Sequence, residues 1–67
     1  MINTYYAIIK ISNGDIIIRS FDILEERGIE AYSKIRDALY IENHENKLVG
    51  LYGRLDYAEN AIKNGNF

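Results

Sequence analysis

The chain of 67 residues has no cysteine, no proline, no tryptophan and only one histidine. Without cysteine it can form neither a disulfide framework nor a thiolate metal site. No apolar run approaches the roughly 18 residues of a membrane span, and the first residues lack the basic segment of a signal peptide. The sequence therefore predicts a protein of the reducing cytoplasm, or of the host cytoplasm if a phage encodes it, with no membrane partner.

Side chains that perform chemistry are equally sparse. His44 lies in a predicted turn without the orienting partner or further ligands that a general base or a zinc site requires. The serines have no evident base, and Gly50 and Gly53 are too few for a phosphate-binding loop. We therefore predict no catalytic residue, no metal and no cofactor, which makes the protein a binding protein and not an enzyme.

Charge of either sign is not in excess, because ten acidic and eight basic residues leave a net charge of −2. A net charge of this size is too small for a protein that binds DNA, or imitates DNA, through its overall charge. No linker or repeat divides the chain, so residues 1–67 form a single domain. Abundant isoleucine and asparagine suggest an AT-rich coding sequence, as found in low-GC bacteria and their phages.

What the chain does have is a β-hairpin signal. Asn13 and Gly14 separate two runs of β-branched residues, and an Asn-Gly pair in this setting is the strongest short-range indication of a hairpin. We expect a two-residue loop, with Ser12 facing Asp15. The facing pairs then continue as Ile11 with Ile16, Lys10 with Ile17, Ile9 with Ile18, and Ile8 with Arg19.

An amphipathic helix follows the hairpin. Apolar residues at three- and four-residue steps predict a helix from Ile29 to near Glu42. Asp22 and Glu25 have the spacing of a capping box, so the alternative is one helix that begins there and runs through Gly28. The small acidic cluster of Asp22, Glu25 and Glu26 is explained by such capping.

A third strand and a short helix complete the chain. Residues 47–55 predict a strand in which Gly50 and Gly53 mark a bulge or a close approach of backbones. Asp56 and Glu59 repeat the capping spacing, and a helix from Tyr57 to about Lys63 would end at Asn64-Gly65.

The element order is thus ββαβα, an α+β fold. A right-handed crossover places the third strand beside the first. We expect a three-stranded antiparallel sheet in the order 2-1-3, with the main helix packed on one face and the short C-terminal helix after it.

The alternation of side chains divides the strands between two faces. The main helix should cover the uniformly apolar face, made of Ala7, Ile9, Ile11, Ile16, Ile18, Val49, Leu51 and Leu55. The opposite face combines aromatic, aliphatic and basic side chains, and we predict that it binds a partner. Its residues are Tyr6, Ile8, Lys10, Ile17, Arg19, Phe21, Leu48, Tyr52 and Arg54.

Three occupants compete for this second face. The C-terminal helix could cover it with Tyr57, Ile62 and Phe67. A larger protein or a second copy could bind it, with the tyrosines and Phe21 as anchors. Single-stranded nucleic acid could stack on its aromatic rings.

The preferred hypothesis is a small interaction protein that binds a larger protein, for example a phage or mobile-element inhibitor or regulator of a host system such as host defence. The alternatives are a nucleic-acid-binding module and a homodimeric structural or accessory protein. A partner could also pair with an exposed strand edge, which we expect at the first or the third strand.

Overall fold

The computed structural model describes residues 2–24 and 27–65, which form three strands and two helices. The elements are β1 (Asn3–Lys10), β2 (Ile16–Ile23), α1 (Gly28–Glu42), β3 (Lys47–Tyr52) and α2 (Leu55–Asn64). The strands form one antiparallel sheet in the order β2-β1-β3. The predicted α+β fold, with one main helix and a short C-terminal helix, is confirmed.

The hairpin between β1 and β2 turns through three residues and not two. The Gly14 N–H donates to the Ile11 carbonyl at 2.9 Å, and the Ile11 N–H donates to the Asp15 carbonyl at 3.0 Å. Gly14 has a φ of 91°, a conformation that glycine adopts without strain. This is a turn through Ser12 and Asn13 followed by a left-handed glycine, one of the common hairpin connections. The predicted two-residue loop is therefore wrong.

The extra loop residue shifts the register by one position along β2. Ile9 faces Ile17 and Ile8 faces Ile18, while Lys10 faces Ile16. Because side chains alternate between the two faces, a shift of one residue moves every β2 side chain to the other side of the sheet. Ile17, Arg19 and Phe21 therefore lie on the α1 side, and Ile16 and Ile18 lie on the opposite side, which reverses the predicted assignment.

A β-bulge joins β3 to the other edge of β1. Gly50 and Leu48 pair with the consecutive residues Ile8 and Ile9, so Val49 is the extra residue. The bulge predicted near Gly50 is confirmed, and a Cβ there would lie 3.1 Å from a tyrosine ring. Because the bulge interrupts the alternation, Leu48 packs on the α1 side and Val49 on the other, opposite to their predicted faces.

The strand β2 extends to Ile23, and the helix α1 begins at Gly28. Asp22 belongs to β2, where its Oδ1 accepts a hydrogen bond of 2.7 Å from the Thr4 hydroxyl. A helix cap at Asp22 is therefore excluded, and Glu25 and Glu26 lie outside the described residues. Of the two predicted alternatives, the helix that starts near Ile29 is the one observed.

The two helices pack on opposite faces of the sheet. Ile35 and Leu39 of α1 form one core cluster with Ala7 and Ile9 of β1. On the other face, α2 places two alanines over Ile8. The C-terminal helix therefore occupies the face for which three occupants were considered.

Small side chains allow α2 to lie close to the sheet. Ala58 and Ala61 are buried, whereas Tyr57, predicted to supply the cover, is about half exposed. The helix begins at Leu55 after Arg54, so the predicted cap at Asp56 and the predicted strand position of Leu55 are wrong. Its end at Gly65, which has a φ of 70°, is confirmed. Phe67 lies outside the described residues.

Candidate functional site

The strand β2 forms one edge of the sheet. The helices approach β1 and β3 most closely. None of the eight residues of β2, all of them described, is buried, although five are isoleucine or phenylalanine. These five are partly buried: Ile16, Ile17, Ile18, Phe21 and Ile23. The strand thus carries apolar side chains on both faces that the rest of the molecule covers only in part.

The hydrogen bonds of the hairpin show which backbone groups of β2 point away from β1. Because Ile11 bonds to Asp15, the odd-numbered residues of β2 exchange hydrogen bonds with β1. The even-numbered residues direct their N–H and C=O groups away from β1: Ile16, Ile18, Ser20 and Asp22. Within the described part of the chain, no strand pairs with this outer edge.

The two edges of the sheet differ in how they are protected. β3 is shorter, carries a bulge and begins with Lys47, and bulges and lysines are features that discourage pairing at an edge. β2 runs in unbroken register with β1 from Ile16 to Ile23 and contains no proline. β2 is therefore the better template for a further strand.

Both charged side chains of β2 are already held by other parts of the molecule. The Arg19 Nη1 donates to the Glu42 Oε2 at 2.6 Å, and the guanidinium lies 5.0 Å from the centre of the Phe21 ring. The hydrogen bond from Arg19 and its positive charge lower the pKa of the Glu42 carboxyl. Asp22 accepts its bond from Thr4. The positive charge of Arg19 is thus paired with Glu42, whereas Asp22, bonded only to a neutral hydroxyl, keeps its negative charge.

Exposed apolar side chains continue from the far end of β2. Asn3 faces Ile23, and the next residues outward, Ile2 and Leu24, are 64% and 70% exposed. On α1, Ile41 is 80% exposed beside Glu42, which bonds to β2. Tyr40, the residue before Ile41, is 55% exposed.

The structure does not bring the predicted partner-binding residues together on one face. Tyr6, Ile8 and Tyr52 lie beneath α2, and Ile8 is completely buried, so its assignment as a contact residue is wrong. Ile17 and Phe21 pack on the α1 side because of the register shift.

The predicted basic residues of that face are dispersed as well. Arg54 precedes α2, where its Nε and Nη2 donate to the Asp56 carboxylate at 3.1 Å and its guanidinium lies 4.8 Å from the centre of the Tyr57 ring. Lys10 lies at the opposite end of the sheet, directly across from Lys47. Arg19 is bonded to Glu42 on the α1 side, so the three predicted basic residues do not lie together on one face.

The surface of residues 2–24 and 27–65 includes two open cavities that bear on binding. One of about 430 Å³ lies at the start of α1 and is lined by Tyr5, Gly28, Ile29, Tyr32, Leu51, Tyr52 and Gly53. The second, of about 390 Å³, lies between the hairpin loop and the turn after α1. Its lining is Lys10, Ile11, Ser12, Gly14, His44, Glu45 and Lys47.

His44 is exposed, as expected of a turn residue, and its ring stacks on Tyr40 with 4.5 Å between ring centres. Residues 2–24 and 27–65 contain no group of three histidine or acidic side chains that could hold a metal ion. No helix in the same ranges is long and apolar enough to cross a membrane.

Sequence reasoning missed the outer edge of β2, because it assigned the edges to the first and third strands while placing the first strand in the centre. The sheet order itself was the signal, since the order 2-1-3 leaves strands 2 and 3 at the edges. It also missed the grouping of His44 with the two lysines, which depends on the fold of two separate turns.

No family model, no curated protein and no solved structure matches this chain.

Proposed function

We propose that this chain is a non-enzymatic binding protein that takes a strand of a larger protein onto the outer edge of β2. The observation that carries the proposal is an eight-residue edge strand with an unbroken register, no proline and no buried side chain. An added strand supplies main-chain hydrogen bonds, and its alternating side chains give specificity.

The outer edge of β2 provides both kinds of interaction. The even-numbered residues present backbone donors and acceptors, each of which contributes about 0.5–1.5 kcal/mol net when paired. An added strand would also bury more of the half-buried side chains: Ile17 and Phe21 on one face, and Ile16 and Ile18 on the other. Apolar burial contributes about 25 cal/mol per Å² of area removed from water.

Recognition through the backbone agrees with the position of the charges. Arg19 is paired with Glu42 within the molecule, so a partner need not supply a carboxylate at that position. Selection of the partner then depends on the side chains that flank the added strand, including the exposed Ile2 and Leu24.

The nucleic-acid alternative has less support. A stacking surface needs open aromatic rings beside free cations. Tyr6 and Tyr52 pack against the cluster beneath α2, and Arg54 is bonded to Asp56. The role as a phage or mobile-element inhibitor of a host system rests on size and composition, and it remains a prediction.

The decisive variant is Ser20→Pro, with Ser20→Ala as its matched control. Ser20 is exposed, and its N–H points away from β1, so proline removes an outward donor without removing a bond to β1. Both variants should fold, which circular dichroism and thermal melting would verify. Each would be used with the wild-type chain to capture partners from a nuclease-treated lysate of the source cell, with detection by mass spectrometry.

We expect a protein that the wild type and Ser20→Ala retain and Ser20→Pro loses. A partner that Ser20→Pro retains at full strength would contradict pairing at this edge. A wild-type solution mass of twice the monomer, returned to the monomer by Ser20→Pro, would identify a second copy as the occupant and overturn the larger-protein proposal.

A further inference from the structure

We infer that the cavity between the hairpin loop and the turn after α1 is a binding site for a phosphate group, either free or on a small phosphorylated molecule. This site shares no residue with the outer edge of β2, so it stands independently of the proposed function. It is defined by Lys10, Ser12, His44 and Lys47, and we call it the hairpin cavity.

The two lysines of the hairpin cavity face each other across neighbouring strands. Lys10 is the direct partner of Lys47 in the β1–β3 register, and both are exposed. Like charges at directly opposed positions destabilise a sheet. Across residues 2–24 and 27–65, neither lysine forms a salt bridge with a carboxylate. An anion bound between them would attract both ammonium groups and so offset their mutual repulsion.

Two turns, each closed by side-chain hydrogen bonds, flank the lysines. In the hairpin, the Asn13 Oδ1 accepts from the Asp15 N–H at 2.9 Å. In the turn after α1, the Asn43 Oδ1 accepts from the Glu45 N–H at 2.9 Å, and the Asn46 side chain donates to the Leu39 carbonyl at 3.1 Å. These bonds hold the walls of the cavity in place before a ligand arrives, which lowers the entropic cost of binding.

Further donors line the same cavity. His44 is stacked on Tyr40, which fixes the position of its imidazole, and Ser12 contributes a hydroxyl. Ammonium, imidazole and hydroxyl groups all donate hydrogen bonds, and those from charged donors to an oxyanion are the stronger ones. The volume of about 390 Å³ lies within the roughly 300–1,000 Å³ of small-molecule sites, so a group attached to the phosphate also fits.

One lining residue opposes an anion. Glu45 places a carboxylate at the cavity, which offsets the charge of one lysine. Neutralising Glu45 and neutralising a lysine must therefore change phosphate affinity in opposite directions.

The test is a titration of the ¹⁵N-labelled protein with inorganic phosphate, and separately with AMP, at constant ionic strength. We expect saturable amide shifts confined to residues 10–14 and 43–47. Lys10→Met and Lys47→Met should each weaken phosphate binding about tenfold. Glu45→Gln should strengthen it. Lys63→Met, which removes a lysine that does not line the cavity, is the matched control and should leave binding unchanged.

Folding and binding can be separated in this experiment. Because the lysines repel each other, Lys10→Met and Lys47→Met should melt at or slightly above the wild-type temperature without ligand. Tighter binding of AMP than of phosphate would identify a phosphorylated molecule as the ligand, and equal binding would identify free phosphate. Shifts that spread over the surface without saturation, or equal weakening by Lys63→Met, would overturn the site.

Discussion

Replacing Ile8 with alanine should remove a large part of the stability of this domain. Ile8 is completely buried beneath α2, where it packs with Ala58 and Ala61. The change removes three carbon atoms, or about 2.4 kcal/mol at 0.8 kcal/mol each, and leaves a cavity. We therefore expect a loss of about 3–4 kcal/mol. The total free energy of unfolding of a domain of this length is about 3–10 kcal/mol.

The matched control is Ile18→Ala. Ile18 directly faces Ile8 on the same side of the sheet but is only partly buried, because it lies on the edge strand. Its truncation should cost about 1–2 kcal/mol, since less of the side chain leaves water on folding. Chemical and thermal denaturation of both variants would measure the difference. At about 4–8 °C per kcal/mol, Ile8→Ala should melt about 12–32 °C below the wild type. Equal losses for the two variants would refute the placement of α2 over Ile8.

Further variants test the hairpin turn, a hydrogen bond between α1 and β3, and the Arg19–Glu42 pair. Gly14→Ala should cost about 1 kcal/mol in denaturation experiments because of its φ of 91°, whereas Gly53→Ala, at a position where φ is not positive, should cost less. Tyr32→Phe removes a hydrogen bond of 3.1 Å to the Leu48 carbonyl and should cost about 0.5–1.5 kcal/mol by the same measurement; no loss would place the hydroxyl in water. The lowered pKa of Glu42 means that its bond to Arg19 contributes stability above the ordinary glutamate pKa, and that this contribution disappears as the pH falls through the lowered value. The melting temperature of the wild type should therefore fall more between pH 7 and pH 3 than that of Glu42→Gln, and parallel curves would contradict the pairing.

Much of the fold could be predicted because its signals are local. The Asn13-Gly14 pair indicates a turn, the three- and four-residue spacing of Ile35 and Leu39 indicates a helix face, and Gly65 indicates a helix end. The handedness of the crossover then allows few sheet orders. These features do not depend on which side chains meet across the sheet.

The strand register was harder to predict because the Asn-Gly pair is compatible with two types of hairpin loop. It can form a two-residue turn by itself, or close a three-residue loop with glycine in the left-handed position. Ile16, Ile17 and Ile18 are all apolar, so they do not show which alternation is correct. The better signal lies further along β2, where Ser20 and Asp22 alternate with apolar neighbours.

The predicted site depended on that register and was lost with it. One residue of slip moved Ile17 and Phe21 to the α1 side, and the bulge exchanged the faces of Leu48 and Val49. The helix α2 covers the face opposite α1, because Ala58 and Ala61 are small enough to lie directly over Ile8. What remains open is an edge, and the side-chain pattern of a strand does not identify an edge.

Hydrogen exchange along β2 tests the central claim most directly. In the free protein, the amides of Ile18 and Ser20 should exchange rapidly, while those of Ile17 and Arg19 are protected by bonds to β1. In complex with a captured partner, Ile18 and Ser20 should become protected and their odd-numbered neighbours should change little. Rapid exchange of Ile18 and Ser20 in a stable complex would contradict strand pairing and place the partner elsewhere on the molecule.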